Sequence, residues 1–230
     1  AGVSGRNPAL KPETPARRTI REFHLWDFEI HPYPIMTSGT PPSQDTFKRA
    51  LYVIGGLLVA MWAVELADWL GGRWLELDRF GIRPRQTGWL PGIVLAPFLH
   101  AGWAHLAANS LPFLVLGLLV IGRGEARFWI VTAGIVVLGG FGVWLIGGTG
   151  TVHVGASGVI FGYFGYLLAA GLVERSVVAM VRAVAVAVLY GSIIWGVLPT
   201  RAGVSWEGHL CGLLAGITLA LFFDRKIVHP

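Results

Sequence analysis

Residues 128–173 run for 46 positions without a single Asp, Glu, Lys or Arg. A helix crosses a bilayer in roughly 20 residues, so this run holds two spans and the turn between them. Residues 86–122 and 183–200 are also free of formal charge. Over the whole 230-residue chain only 13% of residues are charged and the mean hydropathy is +0.62. A soluble domain carries about twice that charge. A disordered chain is excluded, and the single cysteine, Cys211, excludes a disulfide scaffold. Cys211 sits in an apolar run and reads as a small core residue. The net charge of +5 and pI of about 9.8 would suggest nucleic acid in a soluble protein. Here the basic residues lie in a tail and in loops, so they read as topology signals and lipid head-group contacts, with no nucleic-acid partner.

The fold class that follows is all-α, a polytopic membrane protein with six spans. They are expected at about residues 50–70, 103–121, 128–147, 157–173, 182–198 and 206–223. Glu65 and Asp68, near the far end of the first span, should face an interface or water. The loop at about 71–96 carries Trp74 and Trp89 and is too amphipathic to span; it should lie partly in the membrane interface. The chain divides into a tail, 1–46, a six-span core, 47–226, and a short C-terminal tail, 227–230. The first tail holds 7 of the 13 prolines and lacks the apolar run of a signal peptide, so a flexible cytoplasmic segment is expected. Its stretch 23–36 (FHLWDFEIHPYPIM) is rich in aromatics and is a candidate surface for a membrane or a protein partner. Loops on the side of the termini carry eight Lys and Arg against five on the other side, which predicts both termini in the cytoplasm.

Polar residues at membrane depth are costly and call for a functional explanation. His105 and Asn109 stand four apart in AHLAAN and share one helix face. Ser157 sits in GASG at the start of the fourth span, and His209 sits near the start of the sixth. The second, fourth and sixth spans enter from one side, so all four residues fit one layer just below that surface. Gly158 and Gly162 on the fourth span, and Gly208, Gly212 and Gly216 on the sixth, have the spacing that lets two helices approach closely. Ser157 and His209 would then be neighbours. Taken alone, Ser157 reads as a helix cap and His105 as a packing residue. Taken together in this order, the four residues read as nucleophilic acyl transfer. A serine hydroxyl needs a neighbouring base, which His209 can supply, and an oxyanion needs donors. The Ser157 amide at a helix start, the Asn109 side chain and the His105 ring can supply them. Glu207 is two residues from His209, on another helix face, so a Ser-His dyad fits better than a triad. His100 should be structural, holding the first loop by hydrogen bonds, and His153 should be exposed in the turn before GASG. His100 and His105 lack a third ligand nearby, so no metal is expected.

These residues resemble the rhomboid intramembrane serine proteases over about residues 48–226. HAGWAHLAAN, with His100, His105 and Asn109, is similar to the family's second-helix motif, and GASG, with Gly155, Ser157 and Gly158, to its nucleophile motif. GHLCGLLAG, with His209 and Gly212, is similar to its last-helix motif, although Ala more often stands where Gly208 does. Glu125 resembles the glutamate that ends the second helix, and Phe161 stands where many members stack a Tyr on the base. The resemblance implies Ser157 as nucleophile, His209 as base, and His105 and Asn109 as oxyanion donors. It implies a six-helix bundle in a membrane that cleaves transmembrane-helix protein substrates without cofactor or metal; no organelle-targeting pattern is visible, so a bacterial plasma membrane is expected. Two other readings stand beside it. One is a non-catalytic rhomboid-like protein that binds clients or serves a larger complex. The other is a small transporter, which the lack of a visible internal repeat disfavours.

Overall fold

A computed structural model describes residues 1–2, 44–174, 176–199 and 203–228. The aromatic stretch 23–36 and almost all of the 1–46 tail lie outside the described residues, as do 229–230 of the C-terminal tail. Among the described residues the chain forms seven helices and no strand. They are α1 (Gln44–Gly71), the single turn α2 (Gly92–Leu95), α3 (Trp103–Ile121), α4 (Glu125–Ile146), α5 (Ser157–Val173), α6 (Val177–Tyr190) and α7 (Trp206–Val228). A 3-10 segment, Gly191–Val197, continues α6.

Five helical segments are long and apolar enough to cross a membrane: α1, α3, α4, α6 with its 3-10 extension, and 206–223 of α7. The sixth, α5, has 17 residues, at the short end of what can span. It is the buried centre of the bundle, with Tyr163, Tyr166, Ala170 and most of its other side chains hidden from the surface. The helices around it expose Val59, Val137, Val188 and Leu189, the apolar exterior that lipid requires. The all-α, membrane-spanning fold expected from the sequence is therefore what forms. The fifth span differs in detail. It starts five residues earlier than expected and loses α-geometry at Gly191.

Short backbone approaches fix the central helices. A Cβ at Gly212 would overlap the Gly158 carbonyl, and one at Gly216 would overlap the Gly162 carbonyl. The small-residue faces of α5 and α7 thus meet backbone to backbone, as their spacing predicts.

The long loop is ordered by specific bonds. Asp68 Oδ1 accepts the Leu77 amide at 2.6 Å. Ile82 and His153 exchange two backbone hydrogen bonds of 2.9 and 3.0 Å. Arg85, at φ 62°, donates to the Leu145 and Gly147 carbonyls and to Thr149 Oγ1 at 2.7–2.8 Å. These bonds satisfy carbonyls that the end of α4 leaves open. The same ties place the loop over the segment that leads into α5. Glu65, expected to face an interface or water, is instead 5% exposed, because it continues the buried stripe of Ile54 and Met61 on α1.

Candidate active site

Ser157 opens α5, so its amide is among those a helix cannot satisfy from within. The two amides before it are pinned. Gly155 N–H donates to the Ala96 carbonyl at 2.9 Å, and Ala156 N–H donates to His100 Nε2 at 3.3 Å. Gly155 makes the turn at φ +113°, a conformation that glycine adopts without strain. His100 lies 1% exposed, and burial, followed by the neighbouring His105, pushes its pKa down to about 4. It is a neutral ring that joins the first loop to the residue before Ser157, so it does more than hold the loop.

His105 and Asn109 come to the same place. A Cβ on Gly155 would lie 2.7 Å from the His105 ring and 3.5 Å from Asn109 Nδ2. His105 Nδ1 accepts from the Ala101 amide at 3.4 Å, so in the neutral ring Nε2 carries the proton, facing Gly155. Asn109 is buried, and its Nδ2 has no partner among the described residues. A buried donor without an acceptor is costly, and an acceptor from outside the chain would satisfy it.

His209 is held from two sides. Its Nδ1–H donates to the Gly196 carbonyl at 2.8 Å. A carbonyl has no proton to give, so Nδ1 is the protonated nitrogen and Nε2 keeps a lone pair. Its ring stacks on Phe161, with centroids 4.1 Å apart and 4° between planes. Phe161 is one turn after Ser157 on α5, and Gly158 packs on Gly208 and Gly212, which flank His209. Ser157 and His209 therefore sit at one helix crossing. Ser157 Oγ itself makes no hydrogen bond among the described residues.

Of the residues singled out from the sequence, Ser157, His209, His105, Asn109, His100, Phe161, Gly155, Gly158 and Gly212 gather in this region. Glu125 does not. It opens α4 instead of ending the preceding helix, and it pairs with Arg49 at 2.5 Å at the other end of α3. The Gly122–Gly124 turn ends that helix first, with Gly124 at φ 120°. His153, expected in solvent, is 8% exposed. Sequence reasoning missed the Gly196 carbonyl, which no side-chain pattern announces. It also missed Ser205, which caps α7 by accepting the Gly208 amide at 3.2 Å. A serine just before an apolar run was the available signal for that cap.

The Rhomboid domain profile matches residues 87–226, more than half of the chain. The chain belongs to the rhomboid family. An uncharacterized protein of Mycobacterium tuberculosis H37Rv is 44% identical over 192 residues, covering 78% of this chain and 79% of that protein. An uncharacterized protein of Mycobacterium leprae is 40% identical over 200 residues, 81% and 78% of the two chains. YdcA of Bacillus subtilis, provisionally named a rhomboid protease, is 34% identical over 135 residues, 56% of this chain and 64% of its own. The profile begins after α1 and includes every residue gathered at the α5–α7 crossing of this rhomboid. With its apolar helices, family membership makes it an integral membrane protein.

Proposed function

We propose that this rhomboid is an intramembrane serine endopeptidase, with Ser157 as nucleophile and His209 as base. The observation that carries the reading is the state of His209: its Nδ1 proton is committed to Gly196, its ring is fixed by Phe161, and Nε2 is left as a base at the helix that begins with Ser157. In the reaction Ser157 Oγ attacks the scissile carbonyl carbon as its proton passes to Nε2. The oxyanion that develops is met by the Ser157 amide, Asn109 Nδ2 and His105 Nε2–H. His209 then returns its proton to the leaving amine, and water, activated in the same way, releases the acyl group from Ser157. A Gly196 carbonyl takes the orienting role that a carboxylate has in a triad.

The substrates are transmembrane helices of other proteins. Their carbonyls are held in their own hydrogen bonds, so helix-weakening residues near the cut favour reaction. The protein resides in a bacterial plasma membrane with both termini in the cytoplasm, as the basic loops suggest, and residues 23–36 are an additional surface for a protein partner. Labelling by a fluorophosphonate probe that disappears in Ser157→Ala supports the assignment. Cleavage of a model transmembrane substrate that persists in both Ser157→Ala and His209→Ala overturns it. One observation favours a second reading, a non-catalytic rhomboid that binds clients or serves a larger complex: the unbonded Ser157 hydroxyl. Stoichiometric copurification of a partner that requires residues 23–36, without probe labelling, supports that reading.

A further inference from the structure

His153 has both ring nitrogens engaged, and the directions of the bonds follow from their ends. Thr151 Oγ1 donates to the Gly148 carbonyl at 2.6 Å, so towards His153 Nε2, 2.8 Å away, it accepts. Nε2 therefore carries the ring proton, and Nδ1 is an acceptor. Ser205 Oγ, 2.6 Å from Nδ1, supplies the proton. Its oxygen in turn accepts from the Gly208 amide at 3.2 Å. Every donor in this chain has an acceptor when the imidazole is neutral, and burial lowers its pKa in the same sense, against the pull of Glu207.

The chain joins parts that the covalent path keeps far apart. At one end His153 belongs to the segment that enters α5 four residues before Ser157, and its backbone is paired with Ile82 of the long loop. At the other end Ser205 holds the first turn of α7. Its hydroxyl takes the Gly208 amide, and its carbonyl takes the amide of His209 itself at 3.2 Å. His153 and Ser205 also line a small cavity, of about 50 Å³, together with Ser157, Gly155 and Gly208.

We propose that His153 is a positioning residue: through Ser205 it locks the segment that delivers Ser157 to the turn that delivers His209, and so sets their separation. The proposal rests on the catalytic reading above. Its sharp consequence is that the two nitrogens are unequal. The contact that matters is Nδ1 to Ser205. An Asn at 153 offers an oxygen near Nδ1 and preserves that contact, whereas a Gln reaches towards Thr151 and loses it.

The test compares wild type with His153→Ala, His153→Asn, His153→Gln, Ser205→Ala and the double variant, purified as the full chain. Hydrogen exchange of residues 205–212 reads the lock without catalysis. Steady-state cleavage of a transmembrane substrate reads its consequence. The expected result is faster exchange and a kcat lower by about 10- to 100-fold in His153→Ala, with KM nearly unchanged, because small displacements of reacting groups cost rate before affinity. His153→Asn restores both readouts and His153→Gln neither. His153→Ala with Ser205→Ala costs no more than either single change, the non-additivity of one linkage. Unchanged exchange, unchanged kcat in folded His153→Ala, or equal behaviour of the Asn and Gln variants overturns the proposal. If His153→Ala does not fold, the Asn and Gln pair decides. Activity that survives Ser157→Ala defeats the catalytic reading, and the positioning role with it, while exchange alone still reports whether the lock exists.

Discussion

The imidazole of His209 lies flat on the ring of Phe161, 4.1 Å away and within 4° of parallel. Ring stacking of this kind contributes about 0.5–1.5 kcal/mol beyond burial, enough to restrict rotation of the imidazole. Phe161→Ala is expected to lower kcat about 10-fold or more with little change in KM, since what it loosens is orientation. Phe161→Tyr keeps the ring and should retain most activity. Steady-state cleavage in detergent or liposomes measures both, and a Phe161→Ala enzyme as fast as wild type contradicts the role.

Asn109 Nδ2 is a buried donor with no acceptor among the described residues, next to Gly155. If it meets the oxyanion, its loss is felt in the transition state. Asn109→Ala is expected to reduce kcat by about 100-fold, the usual cost of one such donor. The fall should appear equally in kcat/KM. A change confined to KM assigns Asn109 to substrate binding instead.

Gly212 and Gly216 leave no room for a methyl group against the Gly158 and Gly162 carbonyls. Gly212→Ala should destabilise the bundle by about 1–3 kcal/mol, the range for overpacking. Gly56, on α1, has open space where a Cβ would go, so Gly56→Ala should be neutral or slightly stabilising through helix propensity. Thermal unfolding in one detergent compares the two directly.

His100 predicts a pH slope. Its folded pKa, about 4, lies below its ordinary 6.5. Between these values the unfolded chain binds a proton that the folded chain refuses. Stability therefore falls as pH drops from about 6.5 to about 4, by about 3 kcal/mol in all, and levels off below. Asp78 acts in the opposite sense: burial, helped by Asp68, raises its carboxyl from 3.8 to about 6, so its contribution falls as pH rises through that window. His100→Gln, which can still accept from Ala156, should remove the first slope and leave the second. Asp78→Asn should do the reverse. Melting temperatures between pH 4 and 7 test the pair, and an unaltered profile in His100→Gln rejects the assignment.

The parts of this protein that could be read from its sequence are those whose cost is fixed by composition. Long charge-free runs hold helices in lipid, and a histidine or asparagine inside one needs a reason, so the spans and the set of Ser157, His209, His105 and Asn109 are legible in the sequence. The glycine spacing on α5 and α7 was equally plain, because only a missing side chain permits that approach. What remained hidden depends on where loops travel. By sequence His153 reads as an exposed turn residue, whereas its backbone pairs with Ile82; Arg85 reads as one more basic loop residue, whereas it binds the end of α4. The Gly196 carbonyl has no signature at all, since every residue has a carbonyl and only the path of the chain selects one. Glu125 shows the opposite hazard. A local likeness suggests support for the site, but the full length of α3 separates Glu125 from it, and it pairs with Arg49 instead.

Where Gly212 meets Gly158 and Gly216 meets Gly162, the seam between α5 and α7 is made of peptide groups. Such a joint has no rotamers to reshuffle, so mutation can barely retune it and thermal motion can flex it only as a unit. The side chains that ring these contacts, Phe161 and His209 among them, are then the part of the crossing that substitution can adjust.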